Sequence, residues 1–368
     1  MLDYLLWAFY LVIVIQVIYY LLFLSPFFGY KNSTNRNSKP ISVIICAKNE
    51  AKNLQNFLPM ILEQKYAPGF EVVIINDRST DNTTNILYSF AQKNDHLKIV
   101  NLENCKTFGE NKKNALTLGI KASTHEQLLF TDADCFPLSD TWIEQMASRY
   151  STSKNIVLGY GAYEKINNSF LNKIIRFETL MTAVQYFSYA KLGIPYMGVG
   201  RNLAYKKSEF FNIKGFIKHI DIKSGDDDLF INEVATSKNT TYNLNKESFT
   251  VSIPKQNLKN WIRQKRRHIS TSSHYKVQHK FLLALFYLSQ ISFFVLSTIL
   301  FISQSQVELV LILISIRYTS LLLSLGVFSK KLNEQDLLIY LPFLELSLIF
   351  LQLYIYLNNK TSTPVQWH

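Results

Sequence analysis

Cysteine is scarce in this chain. The three cysteines, Cys46, Cys105 and Cys135, are odd in number and widely spaced. A disulfide framework needs an even set, and a zinc module needs closely spaced pairs. The sequence therefore excludes both kinds of scaffold. We expect reduced thiols in or near the core of a domain that faces a reducing compartment.

Acidic side chains are also few in comparison with basic ones. The chain has 27 Asp and Glu residues against 39 Lys and Arg residues, for a formal net charge of +12. Such an excess could attract nucleic acid, but no motif that reads nucleic acid is present. Because 48% of the 368 residues are hydrophobic and are concentrated in long runs, we favour a membrane surface as the partner of the basic groups.

Four apolar runs are long enough to cross a bilayer. They cover residues Tyr4 to Leu24, Phe281 to Ile302, Val307 to Phe328 and Leu337 to Leu357. Asp3, and no basic residue, precedes the first run, so we interpret it as a retained anchor and not a cleaved signal peptide.

The charges between these runs predict an orientation in the membrane. Lys31, Arg36 and Lys39 follow the first run, residues 303–306 include no basic residue, and Lys330-Lys331 follow the third run. Because basic loops remain in the cytoplasm, the alternation predicts an inner-membrane protein whose region between the first and second runs is cytoplasmic. Both termini would then lie on the outer side of that membrane.

Two charged residues interrupt the last two apolar runs. Arg317 and Glu345 lie near the middle of neighbouring runs joined by a short loop. An unpaired charge at that depth costs roughly 2.5–3.5 kcal/mol, so we predict that the two side chains form a pair. The pair could fix the register of the helices or line a polar path.

The region from Ile41 to Thr131 alternates between short apolar segments and helical patterns. Predicted strands cover 41–46, 70–75, 97–102 and 127–131, and predicted helices cover 50–64, 80–93 and 111–122. This alternation predicts an α/β fold with a mostly parallel sheet covered by helices on both faces. Ligands of such sheets bind beyond the carboxyl ends of the strands.

A pair of carboxylates follows the fourth predicted strand. Asp132 and Asp134 point to the same side of an extended segment, because side chains alternate along a strand. Oxygen ligands that leave room for water and phosphate suit Mg²⁺ or Mn²⁺. A polar loop without a metal is the alternative interpretation.

Four motifs in one order resemble the nucleotide-sugar half of a membrane-anchored family-2 glycosyltransferase with a GT-A fold. They are the segments IICAKNE (residues 44–50), VVIINDRSTDNT (72–83), NKKNAL (111–116) and the Asp-x-Asp motif in TDAD (131–134). The resemblance implies that the protein uses a nucleotide-diphospho-sugar. It extends over roughly residues 40 to 270 and includes the flanking membrane helices.

The resemblance also implies roles for individual residues of the donor site. The implied nucleotide-sugar-binding residues are Lys48, Glu50, Asp77, Lys112, Asp132, Gln264 and Arg267. Asp132 and Asp134 correspond to the metal motif, with Asp134 as the direct ligand. Lys48 stands where the family usually has Arg, so the position keeps a positive charge but loses the two parallel hydrogen bonds that a guanidinium can donate. Asn76 could be a turn residue only, and Lys113 is expected to be solvated.

The second half of the domain carries the implied catalytic and acceptor residues. A predicted helix from Phe170 to Leu192 would lie on the sheet or along the membrane surface. The acidic run Asp226-Asp227-Asp228 corresponds to the position of the family's catalytic base, which points to Asp227 or, one residue later, Asp228. An acidic helix N-terminus is the alternative.

The acceptor side of the resemblance rests on two further segments. Gly198, Gly200 and Arg201 lie where the family's chain approaches the sugar. Gln264 and Arg267 match the Gln-x-x-Arg-Trp signature, but His268 replaces the Trp that helps to hold the acceptor sugar. This replacement argues against a processive polysaccharide synthase.

We expect an inverting, hexosyltransferase-type glycosyltransferase. It would move a sugar from a nucleotide-diphospho-sugar, in our expectation a UDP-sugar, to a hydroxyl group of a lipid or a lipid-linked acceptor. A non-catalytic nucleotide-sugar-binding protein, a processive synthase and a nucleic-acid binder are the alternatives. The expected segments are an anchor (1–28), a linker (29–40), a cytosolic transferase domain (41–280, divided near residue 140 into nucleotide-sugar and acceptor halves), three membrane helices (281–358) and a tail (359–368).

Overall fold

A computed structural model describes residues 2–33, 37–102, 111–222, 224–304 and 306–361. Arg36, Cys105 and most of the expected tail lie outside these residues. The helices are α1 (Leu2–Phe23), α2 (Ala51–Leu62), α3 (Thr83–Ala91), α4 (Lys112–Ala122), α5 (Trp142–Ala147), α6 (Phe170–Lys191), α7 (Lys207–Asn212), α8 (Asp228–Val234), α9 (Leu258–Ile269), α10 (Val277–Ile302), α11 (Val307–Leu332) and α12 (Leu341–Thr361).

The strands form two sheets. They are β1 (Ile41–Ala47), β2 (Phe70–Asn76), β3 (Leu97–Asn101), β4 (Gln127–Asp132), β5 (Cys135–Pro137), β6 (Ile156–Leu158), β7 (Gly161–Tyr163), β8 (Leu203–Lys206), β9 (Thr240–Tyr242) and β10 (Thr250–Ser252). Seven strands form the central sheet in the order β3-β2-β1-β4-β8-β6-β9, and the small sheet has the order β5-β10-β7.

The central sheet is mostly parallel, as the alternating pattern predicts. Strands β1, β2, β3 and β4 pair in parallel, whereas β8 runs antiparallel to β4 and β6. Every residue of β1 is buried, because helices cover both faces of the sheet. Val43 and Ile45 pack towards α2, α3 and α5, and Ile44 and Cys46 pack towards α4 and α6. The expected α/β fold is therefore confirmed.

One expectation about α4 is wrong. Lys113 is fully buried instead of solvated. Its Nζ donates hydrogen bonds to the carbonyl oxygens of His219 at 2.5 Å and Ile222 at 2.9 Å. A buried ammonium group needs such acceptors, because it loses its hydration when the chain folds. Lys113 thus holds the segment that leads into the acidic run.

Among the described residues, four helices are long and apolar enough to cross a membrane: α1, α10, α11 and α12 with the short 3-10 turn before it. These helices make the protein a membrane protein, since large apolar side chains such as Trp7, Leu323 and Phe343 remain exposed on them. The predicted pairing between α11 and α12 is confirmed. Arg317 donates to both carboxylate oxygens of Glu345, with one nitrogen-to-oxygen distance of 2.8 Å, and both side chains are buried.

Helix α6 connects the sheet with the membrane helices. Ser188 donates to the carbonyl oxygen of Phe23 at the end of α1. Tyr186 donates to the carbonyl oxygen of Gly159 below the sheet edge. Arg176 forms ion pairs with Glu334 and Asp336, which follow α11. Since α6 is largely buried between these partners, it packs on the sheet and on the membrane helices at once.

Candidate functional site

The candidate site lies where parallel strands end side by side. β1 is flanked by β2 and β4, so the segments that follow these three strands meet at one edge of the sheet. Asp77 follows β2, and its backbone N–H donates to the carbonyl oxygen of Ala47 at 2.8 Å. Glu50 follows β1, and Asp132 ends β4. This position is the usual ligand site of parallel sheets.

Asp132 and Asp134 lie close together, as their spacing predicts. One ligand atom from each, together with Sγ of Cys135, falls within 4.8 Å of the others. Burial and the charge of Asp132 raise the pKa of Asp134 above its ordinary value. Two carboxylates in mutual repulsion fit a divalent cation that takes oxygen ligands.

Cys135 supports this pair instead of acting as a third ligand. Burial raises the pKa of its thiol well above the ordinary value, so the thiol stays protonated. Its sulfur lies 2.9 Å from Oγ of Ser252 and donates to Oδ1 of Asp134 at 3.4 Å. A protonated thiol is a poor partner for a hard cation.

Lys112 joins the carboxylates of two separate segments. Its Nζ lies 2.8 Å from Asp132 and 3.1 Å from Asp226. Burial would lower the pKa of Lys112, but these two carboxylates raise it well above its ordinary value. Burial likewise raises the pKa of Asp132, yet the lysine holds it below its usual range. Lys112 is therefore a fixed positive charge beside the carboxylate pair.

The two acidic residues expected at the nucleoside differ in their surroundings. Burial raises the pKa of Glu50 to about 7, although Asn53 donates to its carboxylate at 2.6 Å. Asp77 is only 1% exposed and forms an ion pair with Arg78 at 3.0 Å. Lys48 is half-buried in the loop after β1. Glu50 faces the cavity described below, but Lys48 and Asp77 are not on its wall.

The acidic run begins with a tight turn at Gly225. The φ angle of this residue is +94°, and an added Cβ would clash with Leu229 at 2.5 Å, so only glycine fits. Asp227 then caps α8, accepting from the backbone N–H of Asp228 at 2.8 Å and of Gly200 at 2.7 Å. Burial, followed by the charges of Asp226 and Asp228, raises the pKa of Asp227 to about 7.

Asp228 has a different environment from Asp227. Its Oδ2 accepts hydrogen bonds from Thr271 and from Tyr275, the latter at 2.6 Å, and its Oδ1 accepts from the backbone N–H of Leu229. Two side-chain hydroxyl groups thus bind Asp228, whereas the carboxylate of Asp227 accepts from backbone N–H groups. Thr271 and Tyr275 belong to no recognisable motif, so the sequence did not predict their contact with Asp228. Only the fold brings them to the start of α8.

Arg201 lies deep in the site, beneath the carboxylate pair. Its guanidinium packs 4.2 Å from the centre of the Tyr163 ring and donates to the carbonyl oxygen of Ala162 and Oγ of Ser252. Burial lowers its pKa, but nearby groups, including Tyr163, Asp134 and Asp132, outweigh burial and raise the pKa above its ordinary value. Arg201 therefore remains charged and balances part of the negative charge of the site.

Helix α9 supplies the opposite wall of the site. The cavity enclosed between it and the sheet edge has a volume of about 610 Å³. Most of the predicted site residues line this cavity: Glu50, Lys112, Asp132, Asp134, Gly200, Arg201, Asp227, Asp228, Gln264, Arg267 and His268. Trp261, one turn before Gln264, also lines it and was not singled out from the sequence. Its position as the one Trp in an otherwise basic helix was the available signal.

The cavity extends from this polar region to the membrane helices. Glu178 and Thr182 of α6 form its middle, with Lys265 in an ion pair with Glu178. Its far end is lined by Leu283 of α10 and by Leu348 and Ile355 of α12. The cavity therefore has a charged end at the sheet and an apolar end at the membrane helices.

The fold and the position of the site define the class of the protein. A mostly parallel sheet with an Asp-x-Asp motif at its carboxyl edge, joined to apolar helices, is a GT-A fold of a membrane-associated glycosyltransferase. Residues 42–215 match the model of the family described as Glycosyl transferase family 2, and this domain belongs to that family.

Proteins that are similar to part of this chain include poly-beta-1,6-N-acetyl-D-glucosamine synthases. The protein of Staphylococcus epidermidis is 38% identical over 102 residues, which are 28% of this chain and 23% of the relative. That of Staphylococcus aureus strain COL is 33% identical over 94 residues, or 26% of this chain and 21% of the relative. The chain thus matches less than a quarter of the length of these relatives.

A solved structure is similar over nearly the whole chain. The mannosyltransferase PcManGT from Pyrobaculum calidifontis, in complex with GDP-Man and Mn²⁺, superposes with a TM-score of 0.58. The match covers 94% of this chain and 99% of that chain at 18% sequence identity. The similarity is therefore one of fold.

Proposed function

We propose that the protein transfers a sugar from a nucleotide-diphospho-sugar to a hydroxyl group of a lipid or lipid-linked acceptor, one sugar per encounter. The observation that carries this proposal is the single cavity with Asp132, Asp134 and Asp227 at one end and Leu348 and Ile355 at the other. A charged donor fits the first end, and an amphiphile with an apolar tail fits the second.

The donor end has the groups that a nucleotide diphosphate requires. Asp132 and Asp134 would hold a divalent cation, Mg²⁺ or Mn²⁺, which neutralises charge on the leaving diphosphate. The mannosyltransferase of similar fold was solved with GDP-Man and Mn²⁺, which supports this assignment. Lys112 and Arg267 add positive charge, and Glu50 and Asp77 lie at the strand ends where the nucleoside would bind. We favour a UDP-linked donor.

Asp227 is proposed as the general base. Its carboxylate is held by two backbone N–H groups, and its pKa of about 7 suits proton transfer near neutral pH. Asp227 takes the proton of the acceptor hydroxyl while the oxygen bonds to the anomeric carbon and the bond to the diphosphate breaks. One displacement of this kind inverts the anomeric configuration. Asp228, occupied by Thr271 and Tyr275, is proposed to anchor α8.

The proposed location follows from the charges that flank the membrane helices. We place the transferase domain on the cytoplasmic side of the inner membrane, where sugar nucleotides are available and basic loops remain. The exposed Arg263 of α9 extends the basic surface of this domain, which suits anionic headgroups. The N-terminal end of α1 would then lie outside.

The test is a transfer assay with the purified protein in lipid. Labelled UDP- and GDP-sugars are supplied with Mn²⁺ or Mg²⁺ and a membrane-lipid extract, and both nucleotide release and labelled lipid are measured. We expect metal-dependent transfer of label into the lipid fraction. Tight binding of a sugar nucleotide without any release of nucleotide would instead identify a non-catalytic binding protein.

A processive polysaccharide synthase is the second candidate, because the named relatives make poly-beta-1,6-N-acetyl-D-glucosamine. His268, on the cavity wall in place of Trp, supports addition of single sugars instead. Mass spectrometry of the product separates the two. We expect one or very few added sugars, and a long homopolymer from the purified protein would favour the synthase.

A further inference from the structure

Helix α12 resembles a membrane-crossing helix in length and composition, yet it is anchored to the transferase domain at its beginning. Glu334 and Asp336 lie just before it, after the end of α11. Arg176 of α6 donates to Glu334 from Nε at 2.8 Å and to Asp336 from an Nη atom at 2.8 Å. Both Arg176 and Glu334 are buried, so this end of α12 is held firmly against α6.

The other end of α12 is anchored to the same domain. Arg266 of α9 donates from Nε to Oδ1 of Asn359 at 2.9 Å and from an Nη atom to the carbonyl oxygen of Asn358 at 3.1 Å. In return, Nδ2 of Asn359 donates to the carbonyl oxygen of Arg266 at 2.9 Å. The side chain of Asn359 therefore lies directly against the backbone of α9.

Helix α9 is part of the transferase domain. Its Trp261 is buried in the same apolar core as α6 and the central sheet. The turn that follows α9 supplies Thr271 and Tyr275 to the carboxylate of Asp228. The first turn of α10 is bonded there as well, since Nδ1 of His279 lies 3.0 Å from Nδ2 of Asn232. Arg266 is thus on the transferase side of the membrane helices.

These contacts conflict with a crossing of the bilayer. A helix that crosses the hydrocarbon core separates its ends by about 30 Å along the membrane normal. The 21 residues of α12 would reach about that far. A crossing orientation would place Asn359 on the face opposite to α9, beyond any hydrogen bond. By contrast, Ser303, at the far end of α10, forms only local hydrogen bonds among the described residues.

The surface of α12 suits a helix that stays in contact with lipid without crossing the membrane. Phe343, Phe350, Tyr354 and Leu357 are each more than half exposed, so an apolar side remains for lipid. Large apolar groups of this kind bury themselves at the boundary of headgroups and acyl chains. Lys360 follows at the end of the helix, and a basic residue there suits the cytoplasmic surface.

We infer that α12 does not cross the bilayer: Glu345 near its beginning pairs with Arg317 within the membrane, but the helix returns to the transferase side by Asn359 and forms the membrane-side wall of the cavity. Three helices then cross, and Thr361 at the end of α12 is on the same side as the transferase domain. This placement of the end of α12 differs from the one that the loop charges predict, in which the C-terminal end lies outside. The wall consists of Leu348, Leu351, Gln352 and Ile355.

A consequence concerns the acceptor, and this part rests on the proposed function. An amphiphile in the cytoplasmic leaflet would enter the cavity from the side, with its tail against the inner side of α12. Its hydroxyl end would pass Glu178 and Thr182 before it reaches Asp227, since all of these residues line the same cavity. The acceptor class is therefore a lipid with a hydroxylated head in the cytoplasmic leaflet.

Cysteine labelling tests the position of α12 independently of activity. The background variant is Cys105→Ser, because Cys46 and Cys135 are buried. Thr361→Cys is compared with Ser303→Cys between α10 and α11 and with Lys93→Cys in the transferase domain, and all three positions are exposed. A membrane-impermeant maleimide is applied to intact cells and to inverted vesicles. We expect Thr361→Cys to react like Lys93→Cys, in inverted vesicles only. Reaction in intact cells, as for Ser303→Cys, would overturn the inference.

A second experiment tests the wall. Leu351→Trp puts a larger side chain on the cavity side of α12, and Leu353→Trp, at a 37% exposed position that does not line the cavity, is the matched control. We expect Leu351→Trp to raise the KM for a lipid acceptor at least tenfold and Leu353→Trp to have the KM of the wild type. Equal KM values in all three proteins would overturn the wall assignment. Absence of donor turnover in wild type would refute the proposed function, while the labelling result would still stand.

Discussion

Replacement of Asp227 by asparagine should remove the general base while leaving the fold intact. Loss of a general base typically lowers the rate about 10²-fold or more, which corresponds to about 2.7 kcal/mol in the activation barrier. The amide oxygen can still accept from one backbone N–H, but its NH₂ group cannot accept from the second. We therefore expect a stability loss of only about 1 kcal/mol.

The pH dependence of wild-type transfer provides a second measure of the same group. Burial and the neighbouring Asp226 and Asp228 raise the pKa of Asp227 to about 7, and the base works only when it is deprotonated. The rate should therefore rise with pH and level off above the pKa. At one pH unit below it, roughly a tenth of the plateau rate should remain. In Asp227→Asn, this rise should disappear from the residual rate.

Initial rates with a labelled donor and saturating acceptor from pH 5.5 to 8.5 would measure both effects. Asp228→Asn is the matched control, since it changes a neighbouring carboxylate that Thr271 and Tyr275 already occupy. That variant should melt at a lower temperature and keep the pH-dependent rise. If Asp228→Asn loses the rise and Asp227→Asn retains it, the base has been assigned to the wrong residue of the pair.

Three further changes test other parts of the structure. Asp134→Asn should abolish metal-dependent donor turnover without unfolding the protein, and wild-type activity of this variant without metal would contradict the metal site. Arg317→Leu or Glu345→Leu alone should cost about 3–5 kcal/mol of stability, because each leaves a buried charge unpaired, whereas the double change should cost less than the sum. Thermal unfolding in detergent measures this, and strict additivity would refute the coupling. Lys113→Met should cost about 1–3 kcal/mol by leaving the buried carbonyl group of His219 and the partly buried one of Ile222 without this donor, and an unchanged melting temperature would contradict that role.

Local sequence patterns determined most of the framework of this protein. The alternation of apolar segments with helical patterns predicted β1, β2, β3, β4 and the helices between them, because buried parallel strands need apolar residues on both faces. The ends of these strands, and so the position of Asp132 and Asp134, followed from the same pattern. Arg317 and Glu345 were predictable as partners, because each has a high cost in an apolar run unless it is paired.

Tertiary structure decided the features that depend on contacts between distant segments. Lys113 lies in a helix whose polar pattern predicts a solvated side chain, but the segment from His219 to Ile222 covers it and supplies carbonyl acceptors. Asp227 and Asp228 are identical in type, and their environments differ because Gly200 donates to one whereas Thr271 and Tyr275 donate to the other. Hydropathy cannot distinguish a crossing helix from one that lies along the membrane, since both need about 20 apolar residues. For α12, the deciding contact is the one between Asn359 and Arg266 on α9, nearly a hundred residues earlier in the chain.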